Sequence, residues 1–263
     1  GPLVDGVAGE LPGGLQAPSS AGSAPRQALD TQASGLVLFT SGSSGEPVAI
    51  AKSLAQLQAE IDAQQALHGQ RWAATPGLQV WATVSQQHIY GLLFAVLWPL
   101  ASGSRIVTPR LAYAEQLAER LGPEPALLVS SPAHLKRLPG ALDWSGARQA
   151  LRAGLSSGGP LPPEAALQAT QCLGVCPIEI YGSSETGGIA WRQRTVQGER
   201  WTPLPEVQWR IDGDSGDLLA LRSPFLPDAH WFVSADRVRA ESDGGFTLLG
   251  RADRIVKIEE RRV

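Results

Sequence analysis

The run Thr40-Ser41-Gly42-Ser43-Ser44-Gly45-Glu46-Pro47 follows directly on a short apolar segment, Leu36–Phe39. Hydroxyls and backbone N–H groups donate to phosphate oxygens, and glycines let the backbone approach a polyanion. The same composition also suits a flexible polar turn. It is not a Walker loop, because no Gly-Lys-Ser/Thr follows Gly45. A second chemical pattern is Gly154-Leu155-Ser156-Ser157-Gly158, which matches the G-x-S-x-G nucleophile elbow and would make Ser156 a nucleophile served by an acid and His230. An elbow needs a helix that begins at the serine, and Pro160, Pro162 and Pro163 hold the chain extended there. Taken singly, Glu185 reads as a solvated loop acid, Tyr181 as a core aromatic of a strand and His88 as a structural histidine. His68 and His134 receive no role.

The elements that must position these residues alternate. Leu36–Phe39 predicts a strand, and Ser53 with Gln56 predicts a capping box opening a helix whose face carries Leu54, Leu57 and Ile61 and which Gly69 stops. Strands are expected at Gln79–Ser85, Ser104–Thr108, Ala126–Ser130, Arg148–Ala153 and Ile178–Tyr181. Helices are expected at Tyr113–Leu121, briefly from Pro132, and from Pro162-Pro163-Glu164 to Cys172. This alternation predicts an α/β fold with parallel or mixed sheets covered by helices. Beyond Gly188 the segments read only as strands, with Asp243-Gly244-Gly245 as a hairpin turn, which predicts a small antiparallel barrel or sandwich. The expected divisions are a flexible Gly/Pro/Ala/Ser leader (1–33), an α/β region (34–188), an antiparallel β part (189–250) and a final segment (251–263).

The chain has 263 residues, 43% of them hydrophobic and 18% charged, with a net charge of −3. Such a chain buries roughly 70–75% of its unfolded surface and needs no disulfide or metal to fold. A slightly acidic balance without a basic stripe argues against a nucleic-acid partner. Cys172 and Cys176 can form neither a disulfide framework nor a four-ligand zinc site, and they suit a reducing, cytoplasmic compartment. No membrane partner is expected, since the longest apolar stretch, Ile89–Ala101, is too short to span a bilayer and contains Trp98-Pro99. Methionine is absent, which predicts a processed or recombinant fragment whose ends, Gly1-Pro2 and Arg261–Val263, are cuts.

Taken together the motifs resemble the adenylate-forming superfamily of acyl- and aryl-CoA synthetases, peptide-synthetase adenylation domains and luciferases. Thr40–Pro47 resembles its phosphate-binding signature. Ser85–Gly91 resembles the segment whose histidine or aromatic lines the acyl pocket, and Ser157-Gly158-Gly159-Pro160-Leu161 the loop under the adenine. Tyr181-Gly182-Ser183-Ser184-Glu185 resembles the Tyr-Gly-x-Thr-Glu motif, Trp231–Arg239 the segment with the ribose-binding aspartate, and Gly250–Lys257 the hinge. The resemblance implies ATP/AMP and Mg²⁺ as cofactors, a small carboxylic acid as substrate, and CoA or an acyl carrier protein as acceptor. It implies that Thr40, Ser41, Gly42, Ser43, Ser44 and Gly45 wrap the phosphates, and that Ser157, Gly158, Gly159 and Pro160 lie beneath the adenine. Tyr181 and Gly182 would meet the adenine, and Asp236 and Arg251 the ribose. It further implies that Glu185 holds Mg²⁺, that Ser184 donates to the α-phosphate, and that Lys257 belongs to the catalytic hinge. His88, Gly182, Gly187 and Gly188 would line a pocket suited to a flat aromatic acid. A narrower similarity, to ligases of aryl-polyene and xanthomonadin pigment pathways, implies a hydroxylated aromatic acid.

Two residues depart from the family pattern. Val48 stands where the signature has lysine, and the next lysine, Lys52, sits just before the Ser53 cap, where it is expected to point to solvent. Glu260 replaces the hinge glycine that lets the chain pass the thiol arm. The C-terminal lid and its catalytic lysine are expected to be missing, so the chain should bind nucleotide yet adenylate poorly. A non-catalytic nucleotide-binding module is the rival reading.

Overall fold

Every residue of one strand, Ala126–Ser130 (β5), is buried, and this strand divides two cores. Because successive side chains of a strand face opposite ways, Leu128 packs with Leu117, Trp144 and Leu173 on one side. Leu127 and Val129 pack with Val80, Phe94 and Trp98 on the other. Burial on both faces is what a parallel strand covered by helices requires.

The computed structural model describes residues 28–33, 35–41, 47–69, 72, 75–214, 216–252, 257–258 and 261–262. It divides into Gly1–Asp30 and Thr31–Val263, and all of the sheets belong to the second unit. Gly35–Ser41 (β1) and Pro47–Ser53 (β2) form an antiparallel hairpin. The large sheet has seven strands. In spatial order they are Arg105–Ile106 (β4), Gln79–Ala82 (β3), β5, Leu151–Ser156 (β6), Ile178–Ser183 (β7), Gly187–Gln193 (β8) and Thr202–Pro203 (β9). β4 through β7 run parallel, and β8 and β9 are antiparallel additions. A separate antiparallel sheet holds Gln208–Ile211 (β10), Leu218–Arg222 (β11), Phe232–Ala240 (β12) and Phe246–Arg251 (β13), in that order. Lys257–Ile258 (β14) pairs with Arg261–Arg262 (β15).

The mixed α/β architecture matches the expected fold class. Several details differ. β2 was not among the expected strands, and its exposed Ala49 and Ala51 alternate with the inward Ile50 and Lys52 as a strand's do. The strand expected at Arg148–Ala153 starts later, because Ser145–Ala150 is helical and buries Ala147 and Ala150 on one face. The antiparallel run expected from residue 189 splits between two sheets, β8 and β9 joining the large one. The small sheet has β10 and β13 as edge strands, with a single bridge from Trp201 to Phe246 tying it to the chain ahead of β9. Cys172 is buried and Cys176 half-buried, both as free thiols. Among the described residues no helix is long and apolar enough to cross a membrane.

Candidate active site

After β3 the chain runs to β4 on one flank and then crosses to β5 on the other, so the sheet has a topological switch beside β3. Open α/β sheets bind ligands beyond the carboxyl ends of strands at such a point. A cavity opens there, walled by Val84 and His88 after β3, Ser157 and Gly158 after β6, and Ser183 at the end of β7 with Ser184 and Glu185 after it. Thr40 and Phe39 of β1 and Tyr90 and Phe94 of the helical stretch after His88 complete an apolar, partly aromatic lining. A second cavity adjoins it, lined by Tyr181, Val233, Asp236 and Arg251. Gly182, Ser183 and Glu185 belong to both walls.

The shared wall is tightly built. A side chain on Gly182 would place its Cβ 1.9 Å from the Gly187 carbonyl oxygen, so only glycine fits between β7 and β8. Ser183 N–H donates to Thr186 Oγ1 at 3.0 Å, closing the Ser183–Thr186 turn. Behind it, Arg192 of β8 donates to both oxygens of Glu179 of β7, each at 2.9 Å, in a buried bidentate pair. Ser157 Oγ donates to the Ile180 carbonyl at 2.8 Å, which ties the turn after β6 to β7.

In the second cavity, Tyr181 O–H donates to Asp236 Oδ2 at 2.6 Å, and Arg251 Nη1 approaches Asp236 Oδ1 at 3.4 Å. The Tyr181 ring is packed against Trp201 and Phe246, with centroids 5.3 Å and 5.9 Å away. Burial first, and then the Asp236 carboxylate, push the Tyr181 phenol well above its ordinary value, so it stays a donor.

Lys52 corrects an expectation. It does not point to solvent: it is 3% exposed, and its ammonium donates to the carbonyls of Glu185 and Phe225, both at 2.7 Å. It stands at an inward position of β2, where strand alternation overrides the usual preference of lysine for water. Burial pulls its pKa down, opposed by Glu60 and then Glu185. Lys52 thus clamps the Glu185 loop.

Glu60 escaped sequence reading. It lies on the helix Leu54–Gln64 (α1), whose Ser53–Gln56 capping box forms as expected. Leu57, Glu60, Ile61 and Gln64 share its buried face, so an acid occupies the apolar stripe; that misfit was the available signal. Its carboxyl is 3% exposed, lines the first cavity, and accepts the Gly188 N–H at 2.6 Å. Burial lifts its pKa from 4.5 to about 7, against the Gly188 hydrogen bond and the Lys52 charge.

Of the expected site residues, Thr40, His88, Ser157, Gly158, Ser184, Gly187 and Gly188 meet at the first cavity, and Tyr181, Asp236 and Arg251 at the second. Gly159 and Pro160 follow as exposed turn residues and line neither. Gly42, Ser43, Ser44, Gly45 and Glu260 lie outside the described residues. Ser41 ends β1, and Lys257 opens β14. The nucleophile elbow is absent: β6 ends at Ser156, the next helix starts only at Pro163, and the Ser156 hydroxyl is buried without a hydrogen-bond partner. Among the described residues no group of three or more His, Cys, Asp or Glu is gathered for a metal.

A profile of AMP-binding enzymes matches residues 7–222. The chain belongs to the AMP-binding enzyme family. It is 30% identical over 234 residues to a 4-coumarate–CoA ligase of Cereibacter sphaeroides, covering 83% of this chain and 49% of that protein. It is 28% identical over 261 residues to the p-hydroxybenzoic acid–AMP ligase FadD22 of Mycobacterium marinum, covering 88% and 36%. This AMP-binding chain therefore spans half or less of the length of these two relatives. In fold it is similar to a malonyl-CoA ligase solved with methylmalonyl-CoA and AMP, at a TM-score of 0.76 and 24% identity, over 92% of this chain and 58% of that one. These likenesses agree with the adenylate-forming resemblance carried by the motifs.

Proposed function

We propose that this chain is the nucleotide- and acid-binding part of an ATP-dependent ligase that activates a carboxylic acid as its acyl-adenylate, for transfer to the thiol of CoA or a carrier protein. The observation that carries the reading is the pair of adjoining cavities with Gly182, Ser183 and Glu185 as a common wall. One is apolar and aromatic, as an acid's body needs. The other presents Asp236 and Arg251, an acceptor and a donor suited to ribose hydroxyls. The reacting carboxylate and the α-phosphate would meet at the shared wall, next to Ser184 of the first cavity, which can donate. Joining them needs positioning and relief of phosphate charge rather than a protein nucleophile.

Glu185 suits Mg²⁺, since this cation takes one or two protein carboxylates, substrate phosphates and water. Its carboxylate stands alone on the wall between the cavities, with Lys52 fixing its backbone from behind. Bound there, Mg²⁺ would neutralise phosphate charge. An aromatic acid such as a hydroxybenzoate fits the lining by Phe39, Tyr90 and Phe94, and the names of two relatives point the same way.

The test is acid-dependent ATP–pyrophosphate exchange by the intact protein over benzoates, cinnamates and fatty acids. Exchange with none of them would overturn the reading. A binding-only module is the second reading, favoured by the apolar Val48 at the signature's lysine position and by Lys52, whose ammonium is committed to the Glu185 and Phe225 carbonyls. It expects nucleotide binding without exchange.

A further inference from the structure

Gly187 and Gly188, expected beside a flat acid, line the first cavity and also leave room for Glu60. A Cβ on Gly187 would lie 2.4 Å from Glu60 Oε2, and one on Gly188 would lie 3.2 Å from Oε1 and 2.8 Å from Ile180 Cγ2. Gly187 also has a φ of +70°, which favours glycine. The two residues form a slot that brings a buried carboxyl from α1 to the wall of the first cavity, beside its apolar residues Ile180, Tyr90 and Phe94.

That carboxyl is under-used. A carboxylate offers about four acceptor sites. Among the described residues it takes one hydrogen bond, from the Gly188 N–H. Lys52 is close enough to favour its charged form but forms no ion pair with it; the ammonium is committed to the carbonyls of Glu185 and Phe225. A buried carboxyl with spare acceptor positions and an open side toward a cavity calls for a hydrogen-bond partner in that cavity.

We propose that Glu60 is a specificity-determining residue, accepting a hydrogen bond from a hydroxyl that the substrate acid carries away from its reacting carboxylate. The donor is neutral rather than cationic, because Lys52 already supplies positive charge beside Glu60. Once Glu60 is ionised, above about pH 7, it repels the reacting carboxylate, and this leaves the far end of the acid to meet it. The inference rests on the proposed function and narrows its substrate to hydroxylated acids. A site built to bond a hydroxyl rejects the analogue lacking it far more strongly than an apolar pocket rejects a missing methylene.

The test is calorimetric titration of the whole chain, with ATP and Mg²⁺ present, against matched pairs: benzoate with 3- and 4-hydroxybenzoate, cinnamate with 4-hydroxycinnamate, octanoate with 8-hydroxyoctanoate. At least one hydroxylated member is expected to bind tenfold or more tightly than its parent. Glu60→Ala should bring that ratio near one, and Glu60→Gln should leave a ratio of a few-fold. Parent and hydroxylated acids binding equally to the unaltered chain would overturn the inference while leaving acid activation standing, and so would a preference that survives Glu60→Ala. Failure of every acid and of ATP to bind would overturn the proposed function and this inference with it. Where a variant fails to fold, the ratios of the unaltered chain decide.

Discussion

Replacing Glu60 by Gln should remove a slope from the pH dependence of folding stability. Burial in the α1–β8 contact lifts this carboxyl from 4.5, its ordinary value, to about 7. The unfolded chain has released the proton above pH 4.5, while the folded chain keeps it until about pH 7. Protonation therefore favours the fold fully below the lower value, and the contribution drains away as pH rises through the upper one. At about 1.4 kcal/mol per pH unit, the displacement corresponds to about 3 kcal/mol. Gln keeps an oxygen for the Gly188 N–H and cannot titrate. Urea unfolding of both proteins between pH 5 and pH 8 is the assay, since most of the effect falls within that span. The stability of the parent relative to Glu60→Gln should fall by about 2–3 kcal/mol as pH rises, all other carboxylates cancelling in the difference. Parallel curves would show that water or Lys52 stabilises the charged form far better than its burial suggests, and the reasoning would fail.

Three further outcomes can be checked. Lys52→Ala should destabilise by about 3–5 kcal/mol in denaturant melts, because it strands the Glu185 and Phe225 carbonyls and leaves Glu60 without its compensating charge; a loss under 1 kcal/mol would mean that water replaces the ammonium. Gly182→Ala should cost about 1–3 kcal/mol and shift the thermal midpoint, because its methyl meets the backbone of Gly187; an unchanged midpoint would show a looser β7–β8 turn. Asp236→Ala should weaken ATP binding by about 1.5–3 kcal/mol in calorimetry if the ribose sits beside it, the loss of a charged acceptor; unchanged affinity would place the ribose elsewhere.

Local signals survived best from sequence to structure. The Ser53–Gln56 capping box, the helix opened by Pro163, and the fully buried β5 each depend on residues a few positions apart. Pairing partners far along the chain were not legible, so β8 read as part of a separate antiparallel unit although it hydrogen-bonds to β7 in the large sheet. β2 was hidden because its loop-like neighbours and its lysine mask the alternation. At the site, Thr40, His88, Ser157, Ser184, Tyr181 and Asp236 could be singled out because their motifs are local, and they line the two cavities. The roles of Lys52 and Glu60 were not legible, since each is a charged residue on an inward face, and only the tertiary partners reveal why.

The Lys52 clamp also bears on when the site comes into being. Its two carbonyl partners lie 133 and 173 residues further along the chain. Contacts of such sequence separation must wait for loop closure that local elements do not need. The hairpin and the helix behind it can form early, but the wall bearing Glu185 cannot lock until the strands up to Phe225 are docked. Substitution at Lys52 should then accelerate unfolding while leaving the refolding rate almost unchanged, the kinetic mark of a contact made after the transition state. A slowed refolding limb would mean instead that this distant pairing helps to nucleate the fold.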